Sequence, residues 1–254
     1  MNNWIALRTL VIEETRRFLR IWPQTLLPSA ITTALYFMIF GHLIGARLGD
    51  IDGVSYMDYI VPGIILMSVI SNAYTNVVTS FYLRKFQRSI EELLVAPIAN
   101  WAILLGYVCG GVARGMLVGM IVTAIALLFT DFNVHHWGVT LSIYILTATL
   151  FSLAGFVNAV FASSFDDIST IPNFVLTPLT YLGGVFYSIT MLPELWQQLS
   201  LANPILYMVN AFRYGLIGVT DIKIEIAFLM TGGFILFLTI FSLVLLHKGI
   251  GIKE

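Results

Sequence analysis

The stretch that decides the fold runs SIEELLVAPI, from Ser89 to Ile98. It is short, charged and amphipathic, in a chain of 254 residues of which 58% are hydrophobic and only 11% are charged. Soluble domains carry about 25% charged residues, so the composition indicates a membrane protein. Apolar segments long enough to cross a bilayer lie on either side, at Tyr59–Leu83 and Trp101–Phe129. The stretch is therefore predicted to be a short polar helix between two membrane spans.

Six apolar segments predict the fold class, an all-α integral membrane protein with a single transmembrane domain over residues 24–254. A helix needs about 20 apolar residues to cross the bilayer. The segments that meet this length are Thr25–Ile44, Tyr59–Leu83, Trp101–Phe129, Gly138–Ala162, Ser169–Tyr187 and Glu225–His247.

A seventh apolar piece, Leu201–Val219, is shorter, and Asn203-Pro204, Asn210 and Arg213 interrupt it. Proline blocks a straight helix, and lipid does not tolerate unsatisfied backbone groups. We therefore predict a re-entrant extracytoplasmic helical hairpin over residues 191–219, between the fifth and sixth spans. A seventh full span is the alternative.

Lysine and arginine are distributed unevenly between the two sides of the predicted membrane. With six spans and the N-terminus inside, the outer segments carry only Arg47, Arg213 and Lys223. The cytoplasmic segments carry Arg8, Arg16, Arg17, Arg20, Arg84, Lys85, Arg88, Lys248 and Lys253. Positive charge collects on the cytoplasmic side of membrane proteins. Both termini and the Ser89–Ile98 stretch are therefore predicted to be cytoplasmic.

Residues 1–23 precede the first span and alternate apolar with charged side chains in a loosely helical pattern. This pattern is typical of an amphipathic helix that lies in the membrane interface, and Pro23 should separate it from the first span. Such a helix could be a topology anchor, or a moving part that contacts both lipid and a cytoplasmic partner. The two interpretations are compatible.

The sequence offers no catalytic residues and no metal site. Its four histidines, His42, His135, His136 and His247, all lie at predicted span edges, away from the buried positions that an intramembrane nucleophile would need. The phosphate-binding pattern G-x-x-x-x-G-K-[ST] does not occur in the sequence, so any ATP-driven work must be powered by another polypeptide. A net charge of −1 gives no reason to expect nucleic-acid binding.

The third predicted span has an unusual composition. Arg114 lies clearly inside it, and it could reach the interface or pair with Asp166 or Asp167, or it could contact a substrate in a central cavity. Small residues recur every fourth position and allow helices to approach closely, within one subunit or between two. These small residues are Gly106, Gly110, Gly111, Gly115 and Gly119.

Three blocks in order resemble the permease subunit of ABC type-2 exporters, in its bacterial YadH-like branch. They are RKFQRSIEELLVAP (Arg84–Pro97), FVLTPLTYLGGVFY (Phe174–Tyr187) and NPILYMVNAFRYG (Asn203–Gly215). The resemblance extends over essentially the whole chain. It implies a subunit of the bacterial cytoplasmic (inner) membrane that pairs with a second copy of itself among membrane lipids. It also implies two copies of a separate cytoplasmic ABC ATPase, which would bind ATP and Mg, whereas this chain would bind no cofactor.

The resemblance also implies roles for particular residues. The loop over residues 84–100 would contain the helix that couples the permease to the ATPase. Its acidic side chains would pair with basic groups of the ATPase, and the apolar residues after them would fill a cleft. The coupling residues are Ser89, Ile90, Glu91, Glu92, Leu93, Leu94 and Val95.

The transport path would lie at the dimer axis, between the second and fifth spans of each copy. Path or gate residues would be Arg114, Pro178, Tyr181, Phe186 and Tyr187. The hairpin, with Asn203, Pro204, Tyr207 and Arg213, would cap the outer end. The implied cargo is amphipathic, lipid-like or lipid-linked, and it is exported. The competing class is an ATP-independent membrane protein, either a secondary transporter or a scaffold.

Overall fold

The computed structural model describes residues 3–51, 53–130 and 133–251. Lys253, which was counted among the cytoplasmic cations, lies outside the described residues, and so do the side chains of His42 and Leu94. In the described part of the chain the α-helices are α1 (Asn3–Arg20), α2 (Trp22–Thr25), α3 (Leu27–Tyr36), α4 (Gly45–Leu48), α5 (Tyr56–Phe86), α6 (Ile90–Val95), α7 (Asn100–Ala126), α8 (Trp137–Phe161), α9 (Phe165–Ile171), α10 (Thr177–Leu182), α11 (Glu194–Leu201), α12 (Pro204–Ile217) and α13 (Ile224–Lys248).

Shorter elements connect these helices. A π-helical segment, Phe37–Ile44, continues α3, and another, Pro172–Leu176, joins α9 to α10. A single 3₁₀ turn covers Ile189–Met191. Strands β1 (Asp50–Ile51) and β2 (Val54–Ser55) form a two-residue antiparallel ladder just before α5.

Five helical segments are long and apolar enough to cross a membrane, which confirms the prediction of an all-α membrane protein. They are Trp22–Gly41, Tyr56–Phe86, Asn100–Ala126, Trp137–Phe161 and Ile224–Lys248. Each overlaps one of the six predicted spans.

The remaining predicted span, Ser169–Tyr187, is not one uninterrupted α-helix. Helix α9, the π-helical segment and α10 follow one another, and the helical run ends at Leu182. Pro172 and Pro178 provide no backbone N–H for a ladder bond. Gly184, at φ +70°, then turns the chain away. The six-span count therefore stays a prediction.

Helix α5 is the centre of the bundle and is buried over most of its length between α7 and α8, with α12 against its N-terminal half. Glycines of α7 make this packing possible. A Cβ on Gly111 would lie 2.3 Å from the Ser152 hydroxyl, and one on Gly119 would lie 2.0 Å from the Tyr144 hydroxyl. The neighbouring glycines meet α1 instead, since a Cβ on Gly110 would lie 2.5 Å from the Glu14 Cβ. Packing within one subunit is thus confirmed for these glycines.

The N-terminal segment forms a helix, as predicted, but its inner face is covered by protein. Leu10 and Phe18 are buried against the bundle, and so is the charged side chain of Glu14, at 1% exposure. The Asn3 side chain accepts a hydrogen bond from the Ala99 N–H at 3.1 Å, just before α7 begins. Helix α1 is therefore an integral part of the bundle rather than a helix that only floats on lipid.

Candidate functional site

The polar stretch between the second and third spans forms the short helix α6, which confirms the predicted helix. Ile90 is 2% exposed and Leu93 is half-buried, and both pack against the core of the chain. Glu91 and Glu92 are exposed in the first turn, and Val95 is 85% exposed. The i, i+3 pair Ile90 and Leu93 thus anchors α6 to its own bundle. The expectation that Leu93 fills a cleft in a partner stays a prediction.

Residues 87–89 form a turn between α5 and α6. Arg88, at φ +58°, has a left-handed backbone conformation that is uncommon for a residue other than glycine. The Ser89 hydroxyl donates to the Arg84 carbonyl at 3.3 Å, rather than capping α6. This turn presents the acidic side chains of α6 outward.

A second segment lies beside α6 and was missed by the sequence reasoning. The connection between α8 and α9 is tied to the end of α5: Lys85 Nζ donates to the carbonyls of Val160 and Ala162, both at 2.8 Å. The Phe86 and Phe165 rings are 5.1 Å apart and expose 62% and 49% of their surface. A cleft of about 430 Å³ separates this connection from α6. Acidic and apolar side chains thus lie on one continuous surface. In the sequence, the feature that could have indicated this surface is Phe165, an aromatic residue just after the fourth apolar segment ends.

Asp167 stabilises the start of α9. Its carboxylate accepts hydrogen bonds from the backbone N–H groups of Ser163 and Ser164 at 2.8 and 2.9 Å, and these bonds lower the pKa of Asp167. The Ser164 hydroxyl accepts in return from the Asp167 N–H, which completes a capping box. The predicted pairing of Arg114 with Asp166 or Asp167 is therefore wrong.

Arg114 instead contacts the side chain of Asn72. Its Nη2 donates to Asn72 Oδ1 at 3.1 Å. Asn72 Nδ2 in turn donates to the Ser29 hydroxyl oxygen at 3.0 Å. A polar chain thus runs from α7 through α5 to α3.

One face of α5 lines two grooves of about 210 Å³ each. The first lies against α3, where Ser29 and Thr32 contribute hydroxyls, and the second lies against the segment from Pro172 to Thr180. Met67 and Ser71 of α5 border both grooves. The second predicted span therefore contacts the segment predicted as the fifth, and the first span belongs to the same surface. A path at a dimer axis stays a prediction.

Aromatic rings close one end of this surface. Phe186 lies with its ring centroid 5.9 Å from both Tyr36 and Tyr181, and 4.9 Å from Phe40. The Tyr187 hydroxyl donates to the Tyr181 carbonyl at 2.9 Å. The predicted fifth span contains two prolines, Pro172 and Pro178. Pro172 lines the second groove, whereas Pro178 lies on the exposed side of α10.

The predicted hairpin consists of α11 and α12, joined at Ala202-Asn203. The Asn203 side chain caps α12 through the Ile205 N–H and also donates to the Leu179 carbonyl at 2.6 Å. Pro204 is the first residue of α12, and the Tyr207 hydroxyl donates to the Leu201 carbonyl at 2.7 Å. These contacts fix the turn between the two helices, whereas its depth in a membrane stays a prediction.

Arg213 was counted as a charge of an outer segment, but it is completely buried. Its guanidinium stacks over the Tyr59 ring at 3.9 Å and donates to the carbonyls of Tyr59 and Gly184. The side chain thus joins α12, the start of α5 and the turn after α10. Asp221 supports the same region by accepting from the Ser188 hydroxyl and the Ile189 N–H. Arg213 is therefore a structural residue.

Apolar spans, a hydroxyl-lined surface and an exposed acidic helix are together typical of a multi-pass membrane transport subunit. Among the described residues, no group of His, Cys, Asp or Glu side chains could hold a metal ion. The chain belongs to the ABC-2 type transporter family, which it matches over residues 5–217.

Similar proteins agree with this family. The chain is 56% identical to the inner membrane transport permease YadH of Escherichia coli K12, over 99% of this chain and 98% of that protein. It is 24% identical to nodulation protein J of Rhizobium leguminosarum bv. viciae, over 85% of this chain and 83% of that protein. The resemblance found in the sequence is thus confirmed, and the chain is a multi-pass transport permease of the bacterial inner membrane.

Proposed function

We propose that this chain is the membrane subunit of an ATP-driven exporter, and that α6 couples it to a separate cytoplasmic ABC ATPase. The proposal rests on one observation: Ile90 and Leu93 hold α6 to the bundle, while Glu91, Glu92 and Val95 point away from it. Two adjacent carboxylates complement a basic surface, and the nearby exposed aromatic rings add apolar area. The family supports an ATPase partner, which binds the ATP and Mg.

The proposed topology has six spans and both termini in the cytoplasm. The helical run from α9 to α10 covers residues 165–182, about 27 Å at 1.5 Å per residue. With its first turn, which carries Asp166 and Asp167, at the cytoplasmic interface, the run can act as the fifth span despite its π-helical segment. The hairpin of α11 and α12 then lies on the outer side. The concentration of arginine in α1 and at the end of α5 supports this orientation.

We place the transport path on the hydroxyl-lined surface of α5, between the first and fifth spans. Ser71 and Thr75 are exposed there, and exposed hydroxyls are poorly suited to contact with lipid chains. A second copy of the chain, facing this surface across a two-fold axis, would cover them and enclose the path. The cargo that fits such a path is amphipathic or lipid-linked, and Tyr181, Phe186 and Tyr187 would form its outer gate.

Charge reversal on α6 tests the coupling. The double variant Glu91→Arg and Glu92→Arg should lower both co-purification of the ATPase and transport-coupled ATP hydrolysis by about tenfold, because two attractive contacts become repulsive. Glu194→Arg with Glu225→Arg is the matched control, since both side chains are exposed on the opposite side of the proposed membrane. Unchanged assembly and hydrolysis in the α6 variant would refute the coupling. Failure of any ATPase to accompany the wild-type chain in gentle detergent would favour an ATP-independent transporter or scaffold.

A further inference from the structure

Arg114 has a charge that the described protein does not neutralise. It lies roughly 21 Å along α7 from Asn100, near the middle of the span. Among the described residues, its guanidinium hydrogen-bonds to the neutral Asn72 amide, and its buried Nε has no partner. An arginine at this depth is costly and is usually paired with an acid or exposed to a water-filled cavity.

The nearby carboxylate is already engaged. Glu14 accepts from Ser80 at 2.6 Å and from Arg17 at 3.0 Å. The Glu14–Arg17 pair is neutral as a unit, so Arg114 leaves a net positive charge within the bundle. The Arg114 side chain does not extend to the membrane interface, where water would solvate its charge. Its guanidinium points toward α5 and donates to Asn72.

The charge is directed toward the hydroxyl-lined surface. Asn72 and Ser29 both line the groove between α3 and α5. Asn72 accepts from Arg114 and donates to the Ser29 oxygen. A hydroxyl can accept and donate at the same time, so the Ser29 O–H can donate into the groove. Hydrogen bonds in such a chain polarise one another, which makes this O–H a better donor to an anion.

We infer that Arg114, through Asn72 and Ser29, forms a recognition site for an anionic group, a phosphate or carboxylate, on the transported amphiphile. The inference rests on the proposed transport path and specifies its cargo: the apolar part occupies the groove and the negative group lies near Ser29. Arg114 is then a specificity residue that acts through Asn72. Its positive charge is balanced when cargo is bound and unbalanced when the groove is empty.

Binding to the full chain in phosphatidylcholine nanodiscs tests the site without requiring ATP hydrolysis. The probe is radiolabelled dodecyl phosphate, with laurate and the uncharged dodecanol as unlabelled competitors. We expect the wild type to prefer both anions over dodecanol by about tenfold. Arg114→Gln should reduce this preference to about twofold or less, whereas Arg114→Lys should keep most of it. Arg20→Gln, an exposed arginine of α1, is the matched control and should leave the preference intact.

Asn72→Asp guards against misfolding of the Arg114 variants. It places a carboxylate where the amide oxygen now accepts from Arg114, so it neutralises the cation without removing it. The anion preference should disappear while the thermal stability is kept or raised. A wild type that binds dodecanol as well as dodecyl phosphate would overturn the inference, and so would a preference that survives both Arg114→Gln and Asn72→Asp.

The affinity of the site in the presence of the ATPase distinguishes transported cargo from a resident anionic lipid. In the vanadate-trapped complex a cargo anion should lose at least about tenfold in affinity, whereas unchanged affinity would identify a structural lipid and overturn the cargo role. The nanodisc assay needs no ATPase. Failure of the ATP-driven proposal would therefore appear as a missing partner with the anion preference intact, and failure of the anion site would appear as lost selectivity in a coupled complex.

Discussion

Replacement of Glu14 should be unusually destabilising for a residue of an N-terminal amphipathic helix. Its carboxylate is buried against α5 and α7 and accepts hydrogen bonds from Ser80 and Arg17 at 2.6 and 3.0 Å. In Glu14→Gln the neutral amide oxygen replaces a carboxylate that accepts both bonds, so the charge assistance of these bonds is lost. Arg17 then has no counter-charge at this site.

The magnitude follows from the burial of each partner. Breaking a buried ion pair by removing one member costs about 3–5 kcal/mol. The lower end applies here, because the Arg17 side chain is 27% exposed and keeps its hydrogen bonds to the carbonyl and amide oxygens of Asn76. We therefore expect a loss of about 3 kcal/mol, which corresponds to a decrease of about 6–12 °C in Tm for a chain of this size.

Glu13→Gln is the matched control on the neighbouring residue. Glu13 pairs with Arg84, but its side chain is 55% exposed, and exposed pairs contribute about 0–1 kcal/mol. Intrinsic tryptophan fluorescence during heating of the detergent-purified chain measures both variants. Equal Tm values for the two variants, or a decrease below about 2 °C for Glu14→Gln, would refute the claim that α1 is held by a buried charge.

Two further predictions concern a close helix contact and a helix cap. Gly110→Ala should destabilise the bundle by about 1–3 kcal/mol, because the new Cβ would overlap α1. Gly232→Ala, on the exposed side of α13, should instead stabilise it by up to about 1 kcal/mol. Thermal unfolding of both variants shows whether the Tm falls for the first and rises for the second. The lowered pKa of Asp167 means that its cap stabilises α9 at neutral pH and that this stability is lost as the pH falls through the folded-state pKa. Amide exchange at the start of α9, corrected for intrinsic rates, should therefore rise in acid and in Asp167→Asn at neutral pH, but not in Asp166→Asn.

Much of the fold is predictable because the thickness of the bilayer sets the number of consecutive apolar residues that a spanning helix needs. Five segments in the structure overlap predicted spans, and α6 appears where a polar stretch separates two of them. The fifth predicted span was harder to define, because Pro172, Pro178 and Gly184 change the backbone without changing the hydropathy. A count of apolar residues does not detect a π-helical segment.

Charged residues were the weaker part of the prediction, because their side chains are satisfied by distant parts of the chain. Arg213 looks like a loop cation, yet its partners are a carbonyl 29 positions before it and a residue 154 positions before it. Glu14 looks like part of a solvated face, yet Gly110 leaves the space that buries it. Only the tertiary packing reveals these roles, since no local pattern distinguishes them from surface charges.

The same packing links α1 to the proposed path. Arg17 donates to Asn76, and Arg114 donates to Asn72, one turn earlier on the same face of α5. A shift of α1 relative to α5 would therefore alter the Asn76 contacts directly beside the hydrogen bond that orients the Asn72 amide. Because the Asn3 side chain of α1 also accepts from the Ala99 N–H just before α7, the helix contacts both spans that hold the Arg114–Asn72 pair. If an ATPase displaces α1 together with α6, we expect the affinity for an anion near Ser29 to change without any direct contact between the ATPase and the groove.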